Sequence, residues 1–335
     1  MRKRSLSKAL LMALFLSIGF TWHSVSAAQK EFSTVKYIIN NISDIGVIDL
    51  ALEKGFFEEQ GIKVESVGIA GGGAASIQAI LTGNADIGSA AMPAYINAIK
   101  AGGKLKVIYG RAAMAHAKDP GYSLLVRDDS NIYNAKDLIG KTVAMGARGA
   151  MWDYGTKEYL HKGGVAIEKV NILIVPPPQL EQVLRNKQVD AVMIGSPISD
   201  KILEGGGTRR LASLYEILGA NTAGGGFGTI VREDLIKKNP DLVRRLVAVY
   251  VKTDEWSSRN PEEARKLVAK VLQKRNQNPA IAKYWPDPYL RNHGLLQDSD
   301  IQFWLDWFLR EGKIKEGELK PSDIYTNAFN PYYKK

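Results

Sequence analysis

The feature that most limits what this chain can become is an internal echo. Gln78-Ala-Ile-Leu-Thr-Gly-Asn-Ala-Asp86 aligns with Gln182-Val-Leu-Arg-Asn-Lys-Gln-Val-Asp190 at an offset of 104 residues, and the same offset carries Pro93 onto Pro197. A glutamine and an aspartate in register mean little alone. The order of predicted elements agrees on both sides of them, and that makes the repeat structural.

In the first copy, Val35–Asn40 (VKYIIN) is apolar and β-branched enough for a buried strand, and Gly46–Lys54 (GVIDLALEK) has helical spacing. FFEEQ, bracketed by Gly55 and Gly61, leads to a second strand, IKVESVGI. Three glycines, Gly71 to Gly73, then open a helix over Ala74–Leu81, and the strand ADIGSA follows the TGN turn. In the second copy KTVAMG is a strand, MWDYGTKEYLHKGG a helix with its glycine stop, and VNILIV a strand; PPPQLEQVLRNKQVDAVMIGSP completes the match. Alternating strands and helices with short connections predict an α/β chain of two related lobes, each a mostly parallel sheet flanked by helices.

GYSLLVRDDS (121–130) and GFGTIVREDLI (226–236) read as strands leaving the first and second copies, and both carry the pattern apolar-Val-Arg-acid-Asp. Paired crossings near 121–130 and 224–236 make a hinge with a cleft between the lobes. The expected division is lobe 1 from 28–120 plus 231–335, and lobe 2 from 121–230. The last part is helical over Asn239–Asn260 and, after a proline at its first turn, over Pro261–Lys274. Beyond the turn YWPDPYL, a helix over Asp298–Ile314 carries Phe303, Trp304, Trp307 and Phe308 on one stripe, which predicts core packing.

The first residues, MRKRSLSKALLMALFLSIGFTWHSVSAAQK, set Arg2, Lys3, Arg4 and Lys8 before an apolar run of 12 residues, Ala9–Phe20. A bilayer span needs about 20. With small residues at Val25-Ser26-Ala27, residues 1–27 read as a secretory signal that is removed, which predicts a periplasmic protein. The chain has no cysteine, so disulfides, thiolate chemistry and a lipid-modified cysteine anchor are excluded.

The formal net charge is +10, four of its basic residues lying in the signal, and the rest are dispersed. No basic run is interleaved with aromatics, so nucleic acid is not an expected partner. IGKT lacks the glycine of a phosphate loop, since Ala135 stands in its place. His116, His161 and His293 are far apart without metal-ligand spacing, and no GxSxG elbow is present. Neither a metal nor a cofactor is expected, and no catalytic set assembles.

In order along the chain, ALEKGFFEEQGIKVE, GGGAASIQAILTGNADIGSAAMP, DLIGKTVAMG and QLEQVLRNKQVDAVMIGSP resemble the nitrate/sulfonate/taurine group of periplasmic solute-binding proteins, which serve ABC importers. The resemblance covers Val35–Ile236. It implies a two-lobe type II binding-protein fold, monomeric, whose lobes close on a small-molecule solute and present it to the permease subunits. The same scaffold resembles the pyrimidine synthases of thiamine biosynthesis, which depend on a histidine that this chain does not place near a strand end. A solute sensor for a receptor is the other alternative.

On that resemblance the cleft is lined from lobe 1 by Asn41, Ser43 and Asp44, by Gly72, Gly73 and Ala74 with Ser76 adding a hydroxyl, and by Ala91 and Met92. Lobe 2 supplies Arg148, Gly149, Met151 and Trp152, then Gly195 and Ser196; Phe227 stands at the second crossing. Free amides at helix starts attract anions, and a guanidinium there grips a sulfonate or carboxylate in two places. Ala and Met among these residues disfavour nitrate and favour an organic acid with an apolar body.

Overall fold

The computed structural model describes residues 32–40, 45–111, 121–219, 226–285 and 292–334. The predicted signal, Asn41, Ser43, Asp44, His116, Gly224 and Gly225 lie outside them.

Strand β1 (Ser33–Ile39) pairs in parallel with β2 (Ile62–Ile69), whose first copy of the repeat continues into helix α3 (Gly73–Leu81) and β3 (Gly88–Ala91). Helices α1 (Val47–Lys54) and α2 (Phe56–Glu59) connect β1 to β2, and α4 (Met92–Lys100) connects β3 to β4 (Leu105–Gly110). A single parallel bridge, Tyr37 with Ile87, joins the β1–β2 pair to β3.

The second copy repeats this plan. Strands β6 (Thr142–Met145), β7 (Asn171–Ile174) and β8 (Ala191–Gly195) are joined by α5 (Met151–Lys162) and α6 (Leu180–Arg185). Helix α7 (Ile198–Glu204) leads on to β9 (Thr208–Ser213) and α8 (Leu214–Leu218).

Each lobe takes its remaining strand from the other half of the chain. Strand β5 (Tyr122–Arg127) follows the first copy yet lies antiparallel between β8 and β9, giving the order β7-β6-β8-β5-β9. Strand β10 (Phe227–Arg232) follows the second copy and lies antiparallel between β3 and β4, so lobe 1 reads β2-β1-β3-β10-β4. The expected border at residue 230 therefore moves ahead of Phe227. Repeat spacing marks where a crossing occurs, whereas the sheet that receives it is decided by which neighbours still lack partners.

The pattern shared by LLVRDD and TIVRED has a mechanical reason. Arg232 on β10 donates from Nη1 to the carbonyls of Ile80 (3.0 Å) and Ala85 (2.9 Å), where α3 ends. Arg127 on β5 does the same to Leu184 (3.1 Å) and Val189 (2.8 Å), where α6 ends. The next acid but one, Asp234 or Asp129, receives each arginine's Nε. Ile80 and Leu184 lie in the last turns of their helices, where they also accept the Gly83 and Lys187 amides, and Ala85 and Val189 lie in the loops beyond, so each guanidinium ties a helix end to the loop that follows it. The repeated aspartates serve too: Asp86 accepts the Lys36 amide at 2.9 Å and Asp190 the Thr142 amide at 2.8 Å.

After β10 come α9 (Glu233–Lys238), α10 (Pro240–Arg259) and α11 (Pro261–Lys274). Val243, Leu246, Val247 and Tyr250 of α10 bury against Ile48, Phe57 and Ile62, so α10 completes lobe 1. Helix α12 (Asp298–Arg310) packs against α4 of lobe 1 and also reaches lobe 2. Its Trp304 and Trp307 meet Tyr154 of α5 edge-on at 6.1 and 5.2 Å, and Arg310 Nη2 donates to the buried Glu158 at 2.6 Å. The aromatic stripe is core, as its spacing predicts. On the opposite flank the turn Pro279–Tyr284 meets α7, with Lys283 paired to Glu204 at 2.8 Å. The last helix, α13 (Pro321–Ile324), hands Tyr325 to the outer edge of β4.

Candidate functional site

In both sheets the parallel strands end at the same gap, the position where open α/β sheets hold ligands. The gap is a cleft of about 1190 Å³. Pockets for small organic ligands run from about 300 to 1,000 Å³, so a three-oxygen inorganic ion would leave most of this one empty.

Helices α1, α3, α4, α5 and α7 start on the cleft, and the charges of their first turns differ. Helix α1 has Asp49 in its first turn, which accepts the Gly46 amide at 3.1 Å, and α7 has Asp200. Helix α5 has Asp153, which accepts the Gly149 amide at 2.8 Å and pairs with Lys157 at 2.9 Å. Helix α3 has neither an acidic residue in its first turn nor a side-chain cap. Its first amides, at Gly73, Ala74 and Ala75, have no partner within the helix. An anion at such a start gains about 0.3–1 kcal/mol at an exposed position and up to ~2 where partly buried. Gly73 lets α3 start close against β3, because a Cβ there would lie 2.9 Å from that of the buried Ala90.

Across the cleft stands Arg148, exposed and with no hydrogen bond or ion pair to any described residue. Behind it lie Met151, almost fully buried, and Trp152, half-buried. Trp152 meets Tyr122 edge-on at 5.8 Å, and Tyr122 lies nearly parallel to Phe227 at 6.4 Å. Tyr122 and Phe227 each begin a crossing strand, so the two crossings supply the cleft floor. At its far end the Arg111 guanidinium sits 5.9 Å from the Phe227 ring and against Gly46, where any Cβ would lie 2.7 Å from a guanidinium nitrogen.

On the other flank Asn97 donates to the Tyr154 hydroxyl at 3.2 Å, joining α4 to α5 beside the cleft. Burial, and then the charge of Asp153, push the Tyr154 phenol up to about 12, so it stays protonated at neutral pH. Asp254 lies in the cleft wall, accepting the Tyr109 hydroxyl at 2.6 Å.

Of the sequence-predicted residues, Gly72, Gly73, Ala74, Ala91, Arg148, Gly149, Met151, Trp152, Gly195, Ser196 and Phe227 line this cleft. Met92 does not: as the first residue of α4 it is fully buried in the core, its side chain turned from the wall that Ala91 forms. Ser76 is likewise buried, with a Cβ on Gly88 set to fall 2.7 Å from its Oγ. Ser196 donates to Asp200 at 2.5 Å, which commits its hydroxyl proton. Asn41, Ser43 and Asp44 fall outside the described residues.

Sequence reasoning missed Tyr122, Arg111, Asn97, Tyr154 and Asp254. Tyr122 was within reach, since it occupies in β5 the place of Phe227 in β10. The others enter the cleft through contacts between residues distant in the chain, for which spacing carries no signal. Among the described residues no group of three or more potential metal ligands occurs, and no helix is long and apolar enough to cross a membrane.

Residues 43–264 match the family described as NMT1/THI5 like. A putative binding protein of Brucella abortus is 26% identical over 323 residues, covering 94% of this chain and 96% of its own. A putative aliphatic sulfonates-binding protein of Bacillus subtilis is 26% identical over 282 residues, covering 78% and 76%. Among solved structures, the alkanesulfonate-binding protein SsuA from Xanthomonas axonopodis pv. citri bound to MOPS superposes with a TM-score of 0.70 at 18% identity, over 88% of this chain and 99% of that one.

Proposed function

We infer that this chain, which belongs to the NMT1/THI5-like family, is the periplasmic solute-binding component of an ABC importer. It captures a small organic acid between its lobes and carries it to the permease. One observation bears most of the weight: the uncapped, acid-free start of α3 faces Arg148, unpaired among the described residues, across a cleft walled largely by apolar and aromatic groups. Each fixes one side of an acidic head, and the remaining volume accepts an apolar body.

Recognition then follows from charge and closure. The α3 amides supply partial positive charge that is already oriented, and Arg148 adds a planar fork that fits a sulfonate or carboxylate. Because the two sit on different lobes, a head bound to both draws the lobes together about the crossings near 121–130 and 224–236, giving a closed form for the permease to read. The protein acts as a monomer without metal or cofactor and does not transform its solute. The leader at residues 1–27 directs it to the periplasm.

Saturation at 100 times Kd adds about 2.7 kcal/mol to the stability of a binding protein. A melting screen of sulfonates and carboxylates on ligand-stripped protein is therefore expected to show a rise of several degrees with one class, and chromatography of that compound to show no turnover. Turnover would assign an enzyme instead, and no shift with any acid would remove the anionic head. Arg148→Ala is expected to weaken a stabilising acid by at least about tenfold. Its ligand-free melting temperature stays near that of the parent, because Arg148 supports no other described residue.

A further inference from the structure

We propose that the solute's body is a planar aromatic ring lying against the row Trp152–Tyr122–Phe227. This rests on the reading of the cleft as a site for an organic acid and specifies the class of acid. The rings come from both halves of the chain, Trp152 and Tyr122 from lobe 2 and Phe227 from lobe 1, and none is fully buried. They are packed on one side against the core and face the cleft on the other.

Glycines leave room for the row. Beside Trp152 is Gly146, where a Cβ would fall 2.5 Å from two of its ring carbons. Beside Tyr122 is Gly195, where a Cβ would fall 2.9 Å from the ring. Any other residue at either position would collide with an aromatic ring of the row. A guanidinium lies at each end, Arg148 in the loop before Trp152 and Arg111 next to Phe227.

An alkyl chain in this place gains the area it buries. A flat ring gains that area and the edge and face contacts of three ring quadrupoles, at little loss of internal freedom because it has no rotatable bonds. The cleft is thus selective between two acids with the same head and the same number of carbons.

The test is isothermal calorimetry of the full purified protein with benzenesulfonate and hexanesulfonate. Benzenesulfonate is expected to bind about tenfold more tightly. Tyr122→Leu is expected to bring the two constants together by weakening benzenesulfonate about tenfold, and a thermal transition as cooperative as the parent's shows that the variant is folded. Hexanesulfonate binding as tightly as benzenesulfonate, or a preference that Tyr122→Leu and Phe227→Leu leave intact, overturns the aromatic assignment and leaves the organic-acid reading standing. If neither sulfonate nor the matching pair benzoate and heptanoate binds, both fall together.

Discussion

Replacing Arg232 with alanine is expected to lower the unfolding free energy by about 3 kcal/mol, and Arg127→Ala to do the same in the other lobe. Each guanidinium donates to one carbonyl in the last turn of a helix and one in the loop after it, and each side chain is largely shielded from water, at 21% and 15% exposed. A hydrogen bond to a charged group contributes about 1.5–3 kcal/mol, and an unmet buried carbonyl costs about 1–3. Two bonds are lost in each variant, offset in part because Ile80 and Leu184 keep the Gly83 and Lys187 amides as donors and water reaches the loop. Urea titration measures the loss. Hydrogen exchange should rise at the end of α3 in the first variant and at the end of α6 in the second. Lysine at either position restores the charge without the fork and should recover only part of the stability. A change of under about 1 kcal/mol in both alanine variants would mean that these contacts are ornamental.

Arg310→Ala is expected to cost about 2–4 kcal/mol, somewhat below the ~3–5 of a fully buried pair because Arg310 itself is 35% exposed. What remains is the Glu158 carboxylate, 4% exposed, on the face of α5 that meets α12. The paired change Glu158→Leu with Arg310→Leu removes both charges and should return most of the stability. That recovery separates the penalty of a stranded charge from the worth of the contact. An additive double variant would show that the pair does not act as a unit.

The sequence made the two-copy plan visible because its markers are short residue patterns repeated at nearly one offset. A strand-to-helix glycine or proline, an aspartate before a strand and an arginine two residues before an acid are short patterns that meet the same contacts in each copy, so they recur at matching places. The glycines at 71–73 and the prolines at 176–178 open corresponding elements, and both flank the cleft. Strand exchange was invisible because pairing is not a local property: nothing within FGTIVR says that its neighbours are β3 and β4. The site divided in the same manner. Positions at helix starts, such as Gly73 and Arg148, were legible, and Met92 misled because the first residue of a helix following a strand end can face inward as readily as outward. Arg111 and Tyr154 have no such signature, because each reaches the cleft only through neighbours from distant parts of the chain.

The exchanged strands also impose an order of assembly during synthesis. All five strands of the second sheet are contiguous, from residue 122 to residue 213, whereas the first sheet lacks the strand between β3 and β4 until residue 232 has emerged. The half of the protein that is made first is the half that finishes last. Until then β3 and β4 present unpaired edges on facing sides, a state prone to mispairing. A fragment ending at residue 120 is frozen in that state, and joining it to residues 226–334 in trans is the manipulation that should rescue it.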